Sequence, residues 1–231
     1  MTRILFVFTS VSKTLLGSPT GWYLPEAAHP YYVLAPHFDI DFAAPAGPNP
    51  PIDPRSVENF KDDDECVGFL QDDAVKARFA AAKVLGPKTV DVGEYAAIFY
   101  VGGHGPVIDL ASHEGNIAVA NEFYRAGKIV AAVCHGPAAI VGVTGADGKS
   151  IFDGKTATSF TNDEEVSIQK VKDIPFLVED RMNELGATFV KAPEQWGVKV
   201  VTSGTLITGQ NPASAKGVGE AILSALKGEV N

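Results

Sequence analysis

Cysteine is nearly absent from this chain: Cys66 and Cys134 are the only two among 231 residues. Two thiols cannot build the multi-bridge framework of a small secreted domain, so a reducing compartment is expected, cytoplasmic with nuclear presence left open. Long hydrophobic runs are missing too. The opening Ile4-Leu5-Phe6-Val7-Phe8 is too short for a signal peptide, and no stretch approaches the roughly 20 apolar residues that span a bilayer. Basic residues are outnumbered, 19 Lys and Arg against 28 Asp and Glu, giving a formal net charge of −9 with no basic run anywhere. That balance argues against nucleic acid and anionic membrane as partners. Repeats and low-complexity tracts are lacking as well.

What remains is an ordinary globular composition, 45% apolar and 20% charged. A chain of this length closes one large core more readily than two small ones, so a single domain over 1–231 is expected. Short apolar runs at 4–8, 38–44, 96–101, 129–133 and 187–190 read as strands, and 24–35, 72–85, 116–126, 135–142, 175–185 and 212–227 as helices. This alternation predicts an α/β fold with a mostly parallel sheet covered on both faces. Near the end, 198–202 and 205–208 flank Ser203-Gly204, a hairpin signal that places an antiparallel edge on the sheet. The proline-rich 45–51 and acidic 58–73 stretches are too long for a plain connection; an insertion around 45–75, capping the site, is expected.

The strand Ile129–Val133 ends at Cys134, and His135-Gly136-Pro137 then opens the next segment. Ala132 and Gly136 are the small residues that a nucleophile elbow needs where strand and helix crowd together. An isolated cysteine at a strand end is more often a small buried hydrophobe. The elbow context instead points to a nucleophile at the carboxyl edge of the sheet, beside a helix N-terminus whose dipole favours thiolate. Cys66 lies in Asp62-Asp63-Asp64-Glu65-Cys66, where negative charge disfavours thiolate, and it reads as structural or incidental. No histidine follows His135, which excludes papain-like peptidases and class I glutaminase domains, whose catalytic histidine lies downstream. The base is His135 or one of the upstream histidines. A second edge feature, Gly102-Gly103-His104-Gly105, follows the strand 96–101 and offers bare backbone amides to an oxyanion, unless it is simply a turn. His104, His113 and Glu114 match no zinc spacing, so no catalytic metal is expected.

Four segments together carry a family resemblance: residues 20–30 (Thr-Gly-Trp-Tyr-Leu-Pro-Glu-Ala-Ala-His-Pro), Gly102–Gly105, Ala132–Pro137, and 208–214 (Thr-Gly-Gln-Asn-Pro-Ala-Ser). The chain resembles the ThiJ/PfpI superfamily, in its branch of fungal glutathione-independent glyoxalases and small heat-shock chaperones, over nearly its whole length. The resemblance implies a flavodoxin-like three-layer sandwich of the class I glutamine amidotransferase-like kind, and a homodimer. It also implies a reactive cysteine with Glu26 beside it, and an acidic residue from the 159–165 segment orienting the histidine. Glu165 is assigned that place; Glu164 stays an alternative because the loop from Cys134 is one residue shorter than the family spacing. Trp22, Tyr23 and Leu24 around Glu26 suggest an apolar pocket that raises its pKa. The implied activity converts methylglyoxal, a small 2-oxoaldehyde, to lactate without glutathione or any cofactor. Cys134, His135, Glu26 and Glu165 would do the chemistry, and Gly102, Gly103, His104 and Gly136 would hold substrate and oxyanion. Rival readings are a holdase that binds unfolded client proteins and a cysteine hydrolase or deglycase using the same thiol.

Overall fold

The computed structural model describes residues 2–228. Its main sheet is built on β1 (Arg3–Val7), β2 (Asp39–Ala44), β3 (Lys83–Val84), β4 (Tyr95–Tyr100) and β5 (Ile129–Val133), joined by the hairpin β8 (Val200–Ser203) and β9 (Leu206–Gly209). The order across the sheet is β3-β2-β1-β4-β5-β9-β8, parallel throughout except that β8 runs against β9. The α/β architecture, the parallel sheet and the antiparallel edge all match the sequence expectation. A separate two-stranded sheet pairs β6 (Thr156–Ala157) with β7 (Thr188–Phe189).

β1 shows why there are three layers. From Ile4 onward its residues are fully buried, as is Phe8 just beyond it, and alternate side chains enter two different cores: Ile4, Phe6 and Phe8 on one face, Leu5 and Val7 on the other. The first core is closed by α1 (Leu24–Leu34) and α9 (Ala215–Lys227), which pack on each other, and by α3 (Asp64–Gln71); the second by α6 (Glu114–Arg125) and α8 (Val178–Glu184). Between β2 and β3 lie α2 (Pro54–Asn59), α3 and α4 (Asp73–Ala80); α5 (Gly105–Ile108) follows β4, and α7 (Asn162–Ser167) follows β6.

Three elements differ from the sequence reading. The helix expected over 72–85 is broken at its first residue and ends in β3: Asp72 is extended, terminates α3, and caps α4 by accepting from the Ala74 amide at 2.8 Å. The helix expected over 135–142 is a short 3-10 turn, Gly136–Ile140; Val141-Gly142-Val143, two β-branched residues around a glycine, does not prolong it. The strand expected at 187–190 pairs only with β6, outside the main sheet. Elsewhere the expected elements differ mainly at their ends.

Candidate active site

β4, β5 and β9 end side by side, and Cys134 follows β5 directly. Its backbone is left-handed, φ 59°, a strained conformation for a non-glycine residue. Two hydrogen bonds hold it: the Cys134 amide donates to the Gly209 carbonyl at 2.9 Å, and its carbonyl accepts from the Phe160 amide at 2.8 Å. A side chain on Gly136 would come within 2.6 Å of the Tyr100 carbonyl, which is why the elbow needs a glycine there. On the neighbouring strand end, a Cβ on Gly102 would lie 2.6 Å from the Val133 carbonyl and 2.9 Å from Cys134 Cβ.

Cys134 Sγ is 3.3 Å from His135 Nδ1, and His135 Nε2 is 2.5 Å from Glu165 Oε2. The other carboxylate oxygen, Oε1, is 2.9 Å from His104 Nε2. Burial pushes the Glu165 carboxyl up, but the His135 and His104 imidazoles outweigh it and hold the group well below the ordinary carboxylate range. An ionised Glu165 only accepts, so both Nε2 atoms carry hydrogens and His135 Nδ1 is left as a lone pair facing the thiol. Burial, helped by the adjacent His104, lowers the His135 pKa and keeps the ring neutral. The His104 and Phe160 rings pack against His135, with centroids at 4.2 and 4.4 Å.

Glu164 faces elsewhere. Its Oε2 accepts from Thr161 in a capping box, and its Oε1 accepts from Gln210, Asn211 and the Trp196 amide. The same helix start therefore supplies one carboxylate to the histidines and one to the scaffold.

Glu26, on α1, is fully buried, and neither carboxyl oxygen has a partner in hydrogen-bond geometry. Burial raises its pKa well above the usual range, against the Cys134 thiol and the Gly102 and Gly103 amides, which are its polar neighbours. The Cys134 thiol is also pushed well up, by burial and then by the Glu26 carboxyl, with the Gly103 amide acting the other way. This corrects the expected dipole-stabilised thiolate: only a 3-10 turn follows Cys134, and the sulfur is buried beside a carboxyl group. With Glu26 protonated, however, its charge repulsion vanishes, and its O–H becomes a potential donor to sulfur.

These groups line a cavity of about 210 Å³, whose walls comprise Tyr23, Glu26, Arg55, Asn59, His104, Cys134, His135, Phe160, Ile168, Trp196 and Pro212. Arg55 and Asn59 come from α2, within the expected insertion. That segment is tied to the start of α1: Trp22 donates to the Pro51 carbonyl at 3.0 Å, and the Leu24 amide to Ser56 Oγ at 3.1 Å. His113 lies apart from His104, capping α6 by accepting from the Asn116 amide. His104, His135 and Glu165 have the spacing to hold a metal ion, but a metal there would replace the hydrogen bonds that fix the His135 tautomer.

The sequence profile of the DJ-1/PfpI family matches residues 71–225, two thirds of the chain and all of β3 to β9. The chain belongs to this family. It is 31% identical to the glutathione-independent glyoxalase HSP31 of Saccharomyces cerevisiae, over 97% of this chain and 98% of that one. Among solved structures it superposes with TM-score 0.90 on the rapid encystment protein REP24 of Francisella tularensis, 33% identical, covering 98% of this chain and 99% of that one. Glyoxalase III of Candida albicans superposes with TM-score 0.86 at 26% identity over 97% of each chain.

The elbow motif pointed to Cys134 and His135 and the family resemblance to Glu26 and Glu165; the fold brings these four together, with Gly102, Gly103 and His104 beside them. Sequence reasoning missed the second hydrogen bond to Glu165, from His104, and the walls supplied by Arg55, Asn59, Phe160 and Trp196. No spacing in the sequence links His104 to Glu165, 61 residues away, and nothing in the local sequence around Trp196 signals a cavity wall.

Proposed function

We propose that this chain is a glutathione-independent glyoxalase that converts methylglyoxal to lactate by covalent catalysis at Cys134. The observation that carries this reading is the convergence, in one small cavity, of a thiol, an imidazole nitrogen 3.3 Å from it and a fully buried carboxyl group with no hydrogen-bond partner. The full-length similarity to HSP31 and to the Candida albicans enzyme supports it.

The chemistry is an internal redox isomerisation followed by hydrolysis. As sulfur bonds to the aldehyde carbon, the thiol proton passes to His135 Nδ1 and the Glu26 proton to the new alkoxide, giving a hemithioacetal. The Gly103 amide, which acts to lower the Cys134 pKa, is the donor assigned to the developing alkoxide. Glu26, now a carboxylate, takes the proton on the former aldehyde carbon while His135 protonates the ketone oxygen, and an enediol forms. Glu26 returns its proton to the second carbon and His135 removes the hydroxyl proton from the first, leaving a thioester. Glu26, again a carboxylate, takes a proton from the water that attacks the thioester, and His135 returns its proton to the departing sulfur, which releases lactic acid and restores the thiol and both starting protonation states. One water is consumed, and no electrons leave the substrate. Purified protein given methylglyoxal without glutathione should form lactate; consumption of methylglyoxal without lactate would overturn the assignment.

A further inference from the structure

A second cluster lies outside the cavity lining, where α1 meets α3. His29 Nε2 is 3.1 Å from Asp63 Oδ2, 3.8 Å from Cys66 Sγ and 3.9 Å from Glu65 Oε2. The ligand atoms of His29, Asp63 and Cys66 all lie within 4.8 Å of one another. We infer that His29, Asp63 and Cys66 form a binding site for a borderline-soft divalent cation, zinc above all, that clips α1 to α3.

Geometry is the first argument. Zinc bonds of about 2.0 to 2.3 Å to nitrogen, oxygen and sulfur set tetrahedral donors roughly 3.3 to 3.6 Å apart. The observed 3.1 and 3.8 Å bracket that range, so a metal enters with small side-chain shifts. Preorganisation is the second. Asp63 is fixed by its other oxygen, Oδ1, which caps α3 at the Cys66 amide at 2.8 Å, and Glu65 Oε1 is held by Lys216 at 3.2 Å. Both carboxylates therefore turn their remaining oxygen to one imidazole nitrogen. Two hydrogens, on Nε2 and Sγ, face more lone pairs than they can satisfy, a deficit that a divalent cation removes. The donor set of thiolate, imidazole and carboxylate selects zinc over calcium or magnesium. Cys66 is fully buried at the floor, while the Asp63 and Glu65 side chains are 31% and 39% exposed, so the site opens to solvent on its carboxylate side. On binding, the thiol proton goes to solvent as the metal–sulfur bond forms; no oxidation state changes. Glu65 or water completes the tetrahedron. This gives Cys66 a use independent of the chemistry at Cys134.

The test uses full-length protein stripped of metal, with zinc and cobalt as probes. Cys134→Ala leaves Cys66 as the one thiol, so a thiolate-to-cobalt charge-transfer band in that variant reports Cys66 and not the active site. One equivalent of cobalt should produce the band, and zinc should displace it. Zinc at about a hundredfold excess over its Kd should raise Tm by roughly 5 °C. His29→Gln in the same background should weaken cobalt binding at least tenfold and abolish the Tm shift; this partly exposed residue serves even where Cys66→Ala fails to fold. Absence of the band, or a band and Tm shift undiminished in His29→Gln, overturns the site. Methylglyoxal turnover by His29→Gln without metal should stay near wild type, which keeps this test separate from the glyoxalase assignment.

Discussion

Glu165 Oε2 meets His135 Nε2 at 2.5 Å while Oε1 accepts from His104 at 2.9 Å, so one carboxylate fixes the tautomers of two histidines. A glutamine at 165 keeps the shape but places an N–H against one of these nitrogens, turning the ring or stripping the lone pair from His135 Nδ1. Glu165→Gln should lower kcat by about a hundredfold or more with KM changed only a few-fold. Glu164→Gln should do the reverse, sparing turnover per folded molecule while costing about 2 kcal/mol of stability, because five donors converge on that carboxylate. Steady-state kinetics with urea titration reads both; loss of kcat in Glu164→Gln alone would reverse the assignment.

The two cysteines differ in surroundings more than in burial. Cys134 lines the cavity with an imidazole nitrogen at 3.3 Å, whereas Cys66 lies outside it, its thiol raised by burial and then by Asp63 and Glu65. Mild peroxide should oxidise Cys134 first. Cys134→Ala should abolish turnover and keep the fold; Cys66→Ala should retain turnover. Peptide mass spectrometry showing Cys66 oxidised ahead of Cys134 contradicts this.

The His135 pKa is lowered by burial and then by His104, against the pull of Glu165. The base form must be neutral, so the acid limb of kcat/KM should lie below the ordinary imidazole value of 6.5. His104→Gln removes the second cause, and the limb should move toward higher pH. A limb that stays put would show that His104 does not tune His135.

The fold was legible where local pattern and tertiary demand agree. β1, β4 and β5 are continuous apolar runs because both their faces are covered, and the hairpin declares itself at Gly204, φ 65°. β3 was hidden because two residues of strand follow a helical pattern with no break in composition. The site was legible in its motifs, Cys134-His135 and Gly102-Gly103, whose small residues are dictated by close backbone approach. Its protonation states were not. The elbow suggested a stabilised thiolate, but the burial that raises Cys134 and Glu26 comes from side chains far apart in sequence, and only the folded arrangement sets it.

Glu26 gives the sharpest test, because glutamine keeps its length and a neutral N–H donor but cannot accept the substrate's carbon-bound proton. Glu26→Gln should therefore add methylglyoxal at Cys134 and trap it, with lactate formation reduced at least a hundredfold and the thiol still alkylated. Stability supplies an independent readout. The folded-state pKa of Glu26 is raised by burial above its ordinary 4.5, so its favourable contribution is fully present below that value and is lost as pH rises through the folded pKa. Glutamine stays neutral throughout. Wild type should thus lose stability relative to Glu26→Gln as pH rises above 4.5, by urea denaturation. Parallel pH curves for the two proteins would mean that Glu26 is not held protonated, and near-normal lactate production by Glu26→Gln would move the carbon-proton transfer to His135.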